Sequence, residues 1–275
     1  MQPLRLASFS TDNKGGNPAG VVIAPQHPSD QEMRQIAADL GYSETAFASP
    51  QDDAWRVRYF APESEVPFCG HATVALGAAL AAQHGNGVYT LVLNDATITV
   101  EGHSENGQMR AALQSPATHS NPAAPDLTAA ALALLGLGPD DLDPRLPPSF
   151  AGAGATHLIL ALNSRDTLAA MSYDLAAGRD LMREHGLVTI MLVWVENDQL
   201  FHARNAFASG GVLEDPATGA AAAAFSGYLR DISWPHGGKI TIIQGEDMGA
   251  KSIITAEIPD EKGASIRVSG EVRQI

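Results

Sequence analysis

The sequence is short of cysteine and of basic residues, and each shortage excludes a class of protein. Its 275 residues include one cysteine, Cys69, so the chain can form neither an internal disulfide nor a zinc site built from several cysteines. Against 31 Asp and Glu there are 17 Lys and Arg, which gives a net charge of −14. Nucleic acids and anionic membranes are bound by clustered Lys and Arg, so we expect neither as a partner.

Long apolar segments are also missing. No apolar run reaches the roughly 18–20 residues of a membrane span, and Met1–Arg5 lacks the basic start and apolar continuation of a signal peptide. Hydrophobic residues still make up 45% of the chain and charged residues 17%, which is enough apolar material for a core. We expect a soluble, cytoplasmic protein of one large or two medium domains.

Short segments of alternating apolar and polar residues dominate the sequence, and this pattern predicts an α+β protein rich in strands. Trp55, Val57 and Tyr59, for example, alternate with two arginines. Ser29 and Glu32 have the spacing of a capping box, which predicts the start of a helix.

Two alanine-rich segments stand apart from this pattern. Ala72–Gln83 and Ala217–Arg230 both begin with Ala-Thr and continue with small residues, which predicts two helices that strands can approach closely. Shared composition alone would explain the likeness, whereas a duplicated domain, with strands around one helix in each half, is the sharper hypothesis. The halves would be residues 1–115, completed by a C-terminal strand at about 265–275, and residues 126–264, with a linker at 116–125.

Several familiar catalytic motifs are missing. The sequence has no Gly-Lys-Ser/Thr of a phosphate-binding loop and no Gly-x-Ser-x-Gly of a hydrolase. Gly152-Ala153-Gly154 lacks the third glycine of a dinucleotide site, and the nine histidines show no metal-ligand spacing. We therefore expect neither a nucleotide cofactor nor a metal. A racemase with one thiol on each face of its substrate is disfavoured, because one cysteine cannot supply both.

The predicted starts of the two alanine-rich helices carry polar residues. Gly70 and His71 immediately precede the first helix. At the second helix, Asp215 is placed to be the N-cap and Pro216 is placed to occupy the first turn. Gly219 in that turn would leave backbone N–H groups uncovered. Such N–H groups and the helix dipole favour anions. In a duplicated protein the two starts can face one cleft and hold a carboxylate; a plain cap and a hydrogen-bonded histidine are the structural alternatives.

One carboxylate lies in a small, apolar segment. Glu44 is flanked by Ser43 and Thr45 within Tyr42–Phe47, where the pattern predicts a strand. A lone glutamate in such a strand commonly faces solvent. Burial in a cleft would instead prepare a carboxyl group for proton transfer.

Four stretches together resemble the PhzF-like isomerase family of the diaminopimelate-epimerase-like superfamily: Gly16–Val21, Ser43–Phe47, Pro67–Thr73 and Glu214–Gly219. They occur in the family's order over most of the chain. The resemblance implies two pseudo-symmetric domains, each a curved sheet or barrel around a central helix. It also implies a homodimeric isomerase that moves a proton within a small carboxylate-bearing substrate, without a metal or other cofactor.

The same resemblance implies roles for individual residues. Glu44 matches the glutamate that shuttles the proton, and His71 and Asp215 match residues that hydrogen-bond the substrate. Gly70 and Gly219 match positions whose backbone amides help to hold the substrate carboxylate.

One position departs from the family pattern. The best-known member, which isomerises a dihydro-hydroxyanthranilate in phenazine synthesis, has a serine where this chain has Ala220. A hydroxyl contact is lost there while a backbone N–H remains, so we expect weak or no turnover of that substrate. Two other functions stay open: an amino-acid racemase or epimerase on the same fold, and a non-catalytic relative that binds a metabolite or a protein.

Overall fold

A computed structural model of the chain describes residues 2–275 and contains two compact units. The first unit consists of residues 2–114 and Ser269–Ile275, and the second of Ser115–Val268. Strands outnumber helices in both, as the alternating sequence pattern predicts. Within the described residues, no helix has the length and apolar character that crossing a membrane requires.

The first unit is built from short strands and two helices. Its elements are β1 (Leu4–Ser10), β2 (Asn17–Ile23), α1 (Asp30–Leu40), β3 (Thr45–Gln51), β4 (Ala54–Phe60), β5 (Glu65–Val66), α2 (Gly70–His84), β6 (Gly87–Val92), β7 (Thr97–Glu105) and β8 (Gln108–Gln114). Strand β2 runs parallel to β3, and β4 runs parallel to β6, whereas β6, β7 and β8 form an antiparallel meander. Each helix therefore lies in the crossover between two parallel strands.

Helix α1 starts where the capping-box spacing predicts. The Ser29 hydroxyl accepts a hydrogen bond from the Glu32 N–H, and the Glu32 carboxylate accepts one from the Ser29 N–H. At the other end Gly41 has a φ of 68°, the left-handed conformation that glycine adopts without strain. The buried face, which includes Met33, packs in an apolar cluster. This crossover leads the chain to Glu44 and the start of β3.

Helix α2 is almost entirely buried, which its small side chains allow. All residues from His71 to Ala81 are buried, and the helix packs against β1, β2, β7 and β8. A side chain at Gly102 in β7 would collide with the backbone of Gly77 in the helix, so glycine at both positions permits close packing. The helix begins at Gly70, two residues before the predicted start, and its first turn therefore includes Gly70 and His71.

The second unit has more helices around a similar set of strands. Its elements are β9 (His119–Pro122), α3 (Pro125–Leu134), β10 (Ser149–Gly152), β11 (Thr156–Leu162), α4 (Arg165–Ala169), α5 (Leu175–Glu184), β12 (Thr189–Asn197), β13 (Leu200–Ala206), β14 (Glu214–Asp215), α6 (Gly219–Asp231), β15 (Lys239–Gln244) and β16 (Ser252–Glu257). The pairs β11–β12 and β13–β15 are parallel, and crossovers containing helices again join them.

Helix α6 shares the small-residue character and the burial of α2. All residues from Ala221 to Arg230 are buried, and the helix packs against β9, β10, β11 and β16. A side chain at Gly227 would approach the Thr118 side chain to 2.6 Å. The absence of a side chain at Gly227 therefore lets the second unit pack closely around α6, as the sequence predicts.

The predicted start of this second helix is wrong. The helix begins at Gly219 with Thr218 as its N-cap, and Asp215 and Pro216 precede it. Asp215 belongs instead to the two-residue strand β14, where it lies opposite Asn205 of β13. Pairing in this strand holds Asp215 in an extended conformation four residues before the helix.

The last strand, β17 (Arg267–Gln274), returns to the first unit and pairs antiparallel with β1, with Leu6 opposite Gln274. The segment expected to be a linker, residues 116–125, contains strand β9. Because β9 pairs with β10, this segment is part of the second unit's sheet.

Candidate active site

Three titratable side chains of the first unit lie against one another: Glu44, Cys69 and His71. The His71 Nε2 atom is 3.5 Å from Glu44 Oε2, and Cys69 Sγ is also 3.5 Å from that oxygen. Cys69 Sγ lies 3.4 Å from His71 Nδ1 and 3.9 Å from His71 Nε2. Elsewhere in residues 2–275, no three His, Cys, Asp or Glu side chains bring such atoms within 4.8 Å of one another.

The backbone brings these side chains together from two directions. Glu44 directly precedes β3, and its carbonyl accepts a hydrogen bond of 3.2 Å from the Gly20 N–H. A side chain at Gly20 would collide with the start of β3, so only glycine permits this approach. Cys69 is the N-cap of α2 and His71 is the second residue of that helix. The Ser8 hydroxyl donates to the His71 carbonyl at 2.7 Å and fixes the first turn.

The three side chains differ in their access to solvent. Cys69 and His71 are 7% and 6% exposed, whereas 15% of the Glu44 side chain is exposed. The Ser43 hydroxyl lies 3.4 Å from His71 Nε2 and adds a neutral polar group. Throughout the described part of the chain, no Lys or Arg forms an ion pair with Glu44. Glu44 is therefore the member of the cluster that a small molecule reaches most easily.

The first turn of α2 can bind an anion beside this cluster. The N-cap Cys69 makes no side-chain capping hydrogen bond to the backbone of this turn. The N–H groups of Gly70 and His71 and the positive end of the helix dipole are the features that attract an anion here.

In the second unit, Asp215 is 7% exposed and is held by hydrogen bonds to neighbouring side chains. Thr218 Oγ1 donates to Asp215 Oδ2 at 2.6 Å. Gln244 Nε2 donates to the Asp215 carbonyl at 2.7 Å and to Thr218 Oγ1 at 3.0 Å, while Gln244 Oε1 accepts from the Thr218 N–H at 3.2 Å. The buried Gln244 thereby fixes the turn before α6 and the orientation of the Asp215 carboxylate.

Gly219 and Ala220 are the first two residues of α6. The N-cap Thr218 makes no side-chain capping hydrogen bond to the first turn, and its hydroxyl donates to Asp215. The backbone N–H groups at the start of α6 attract an anion in the same way as those at the start of α2.

Comparison with known proteins identifies the family. Residues 6–273 match the family described as phenazine biosynthesis-like protein. The chain belongs to this family. A relative from Escherichia coli strain K12, the uncharacterized isomerase YddE, is 30% identical over 281 residues, which cover 98% of this chain and 94% of YddE. The predicted family is thereby confirmed, and its relatives are named isomerases.

Solved structures of similar proteins confirm the predicted fold. A Bacillus anthracis phenazine biosynthesis protein of the PhzF family has a TM-score of 0.86 at 22% identity, and the match covers 100% of this chain and 98% of that one. A probable proline racemase from Agrobacterium radiobacter K84 has a TM-score of 0.67 at 12% identity, covering 99% and 90% of the two chains. This phenazine biosynthesis-like protein thus has the epimerase-like fold.

Sequence reasoning found some residues of the site and missed others. Glu44 and His71 were predicted from their motifs, and the first unit brings them into contact. Cys69 was missed as a site residue, although it directly precedes Gly70 and His71 in the same motif. The sequence around Gln244 does not indicate its role, because Gln244 reaches Thr218 from β15, 26 residues further along the chain.

Proposed function

We propose that this protein is a cofactor-independent isomerase that moves a proton within a small carboxylate-bearing substrate, with Glu44 as the proton carrier. The observation that carries the proposal is the environment of Glu44: a partly exposed carboxylate 3.5 Å from His71 Nε2 and 3.5 Å from Cys69 Sγ, with no Lys or Arg paired to it in residues 2–275. No cationic side chain has to leave before a substrate C–H reaches this carboxylate. The isomerase names of the relatives support this class of reaction.

The proposed reaction consumes no proton and no electron. The Glu44 carboxylate removes a proton from one carbon of the substrate, and the electron pair left behind shifts along an adjacent double bond. The same carboxyl group then returns the proton to the carbon at the far end of that system. His71 orients the carboxyl group through Nε2, and the N–H groups at the start of α2 stabilise negative charge on the substrate.

We assign substrate binding in the second unit to Asp215, Gly219 and Ala220. Asp215 offers a carboxylate whose orientation is fixed by Thr218, so it can accept a hydrogen bond from the substrate without first being ordered. The first-turn N–H groups at Gly219 and Ala220 supply donors for a substrate carboxylate.

A comparison within the chain argues against a two-thiol racemase. Cys69 is the N-cap of α2, and the N-cap of α6 is Thr218. A threonine hydroxyl is far less acidic than a thiol and does not replace it as a base at neutral pH.

Deuterium exchange tests the proposal. The protein is incubated in heavy water with a series of small carboxylates that carry an allylic C–H, and the recovered compounds are analysed by mass spectrometry and NMR. We expect the wild-type protein, but not Glu44→Gln, to isomerise at least one compound. Deuterium should enter at the carbon that receives the proton whenever the Glu44 carboxyl group exchanges with solvent before it returns the proton. Tight binding of a compound with neither isomerisation nor exchange would instead support the non-catalytic alternative.

A further inference from the structure

The Glu44–Cys69–His71 cluster also has the dimensions of a metal site. Its ligand atoms form a triangle: Glu44 Oε2 is 3.5 Å from His71 Nε2 and 3.5 Å from Cys69 Sγ, and the third side, Cys69 Sγ to His71 Nε2, is 3.9 Å. Zinc bonds to oxygen, nitrogen and sulfur are about 2.0–2.3 Å long, so three ligand atoms this close can share one ion once their lone pairs face it. Cys69 Sγ is nearer to His71 Nδ1 than to Nε2, so the imidazole or the thiol turns as the ion binds.

The donor set favours zinc among the common divalent ions. Zinc takes thiolate, imidazole and carboxylate ligands, whereas magnesium and calcium prefer oxygen alone. Tetrahedral zinc requires its ligand atoms to lie about 3.3–3.6 Å apart. The two sides that meet at Glu44 Oε2 already have this length, and the third, at 3.9 Å, shortens when the imidazole or the thiol turns.

The surroundings suit a divalent cation as well. Cys69 and His71 are buried, and Glu44 forms the partly exposed side from which an ion can enter. No Lys or Arg of residues 2–275 forms an ion pair with Glu44, so an arriving cation displaces no positive side chain. Three protein ligands leave the fourth zinc position to a water molecule.

We infer that Glu44, Cys69 and His71 bind one zinc ion, and that the bound ion inhibits the enzyme. The second part rests on the proposed function: a carboxylate that ligates zinc cannot accept the substrate proton. Zinc binding and proton transfer therefore use the same carboxyl group and exclude each other.

A second histidine with acidic neighbours provides a matched control. His202 Nε2 lies 2.7 Å from Glu196 Oε2, and its Nδ1 lies 3.3 Å from Glu246 Oε2. The two carboxylates approach opposite ring nitrogens, so they do not converge on one point, and no thiol is present. His202→Gln therefore removes an imidazole with acidic partners and leaves the proposed zinc site intact.

Cobalt titration of the purified, chelator-treated protein tests the site directly. Because the chain has one cysteine, a thiolate-to-cobalt charge-transfer band can arise only from Cys69. We expect one cobalt ion per chain with this band, and its displacement by zinc. Cys69→Ser should abolish the band, and Glu44→Gln and His71→Asn should each weaken binding of both metals at least about 100-fold. His202→Gln should change neither, and circular dichroism should show that every variant is folded.

The zinc site is overturned if wild-type protein shows no thiolate band, if Glu44→Gln and His71→Asn bind cobalt as tightly as wild type, or if His202→Gln abolishes binding.

Inhibition is tested by adding zinc to the deuterium-exchange assay, where exchange should fall with zinc occupancy and return when a chelator is added. Unchanged exchange at full occupancy would refute inhibition and leave the zinc site standing. If no compound is isomerised and none exchanges, the proposed isomerase fails, and the cobalt titration still decides the zinc site.

Discussion

The starts of α2 and α6 share one backbone plan and carry different side chains. In each unit a two-residue strand pairs with the strand before it, β5 with β4 and β14 with β13, and then leads through a proline to a helix that begins with glycine. Each short strand also begins with a glutamate paired to an arginine of the preceding strand: Glu65 with Arg58, and Glu214 with Arg204. The likeness therefore extends from backbone pairing to an ion pair.

The side chains at the two helix starts differ in what they can do. Around α2, Glu44, Cys69 and His71 can all exchange protons and contact one another. Before α6, neutral Thr218 and Gln244 form the hydrogen bonds that fix Asp215. The comparison supports proton transfer in the first unit and rigid substrate binding in the second.

The largest effect is expected from a substitution of Glu44, beside the start of α2. Glu44→Gln keeps the shape and polarity of the side chain and removes its exchangeable proton. We expect turnover to fall by ~10²–10⁴-fold while ligand binding is retained, because this is the usual contribution of a positioned acid–base group. Steady-state kinetics and calorimetric binding measure the two quantities separately.

Variants at other positions sharpen the same test. The matched control is Glu63→Gln. Glu63 is an exposed glutamate in the connection before β5, so this substitution should leave turnover unchanged. Asp215→Asn and His71→Ala should weaken binding as well as rate. Full turnover by Glu44→Gln on any accepted substrate would show that another group carries the proton.

The second prediction compares the two ion pairs. The Glu214 side chain is 6% exposed and Glu65 is 27% exposed. Arg204→Met leaves a buried carboxylate unpaired, so we expect a loss of about 3–5 kcal/mol in the free energy of unfolding. Arg58→Met leaves a carboxylate that water can reach, so we expect a loss of about 1 kcal/mol or less.

Urea unfolding of both variants measures this difference. The double variant Arg204→Met/Glu214→Met should regain part of the loss, because it buries no unpaired charge but still leaves the carbonyls of Ala169 and Met171 without the Arg204 donor. Equal losses for Arg204→Met and Arg58→Met would mean that burial does not distinguish the two pairs.

The third prediction concerns a buried histidine of the second unit. His157, in β11, is fully buried, its Nδ1 bonds to Thr189 Oγ1 at 2.8 Å, and burial lowers its pKa to about 4. An unfolded chain takes up this proton below about pH 6.5, whereas the folded chain does so only near pH 4. The free energy of unfolding should therefore fall as the pH decreases through this window, by about 3 kcal/mol in total.

Denaturant titrations at several pH values test this linkage. His157→Gln should remove this part of the pH dependence, and His185→Gln, at an exposed position, should keep it. An identical pH profile for wild type and His157→Gln would show that His157 does not control it.

The limits of sequence prediction lie in residue register and long-range contacts. The alternating strands, the α1 capping box and the two buried helices were predictable because each depends on neighbouring residues. The predicted repeat matched Ala72-Thr73 with Ala217-Thr218, but these pairs differ in place: the first lies inside its helix and the second precedes it. The short strands β5 and β14, which pair with β4 and β13, precede their helices at the same spacing, so Gly70 corresponds to Gly219 and the predicted repeat is four residues out of register. Local composition contains no information on such pairing, and for the same reason it could not predict Gln244.

The smallest expected effect concerns the second residue of each helix, which is His71 in α2 and Ala220 in α6. Alanine offers a substrate only its backbone N–H, so we expect wild type to turn over the dihydro-hydroxyanthranilate weakly or not at all. One missing hydrogen bond to a polar group costs about 1–3 kcal/mol, so Ala220→Ser should raise kcat/KM for this compound about 10–100-fold. Ala220→Val is the control, because it adds bulk without a hydroxyl and should give no gain. Efficient turnover by wild type, unchanged in Ala220→Ser, would show that the hydroxyl does not determine substrate choice and that the two helix starts differ in function only through Glu44, Cys69 and His71.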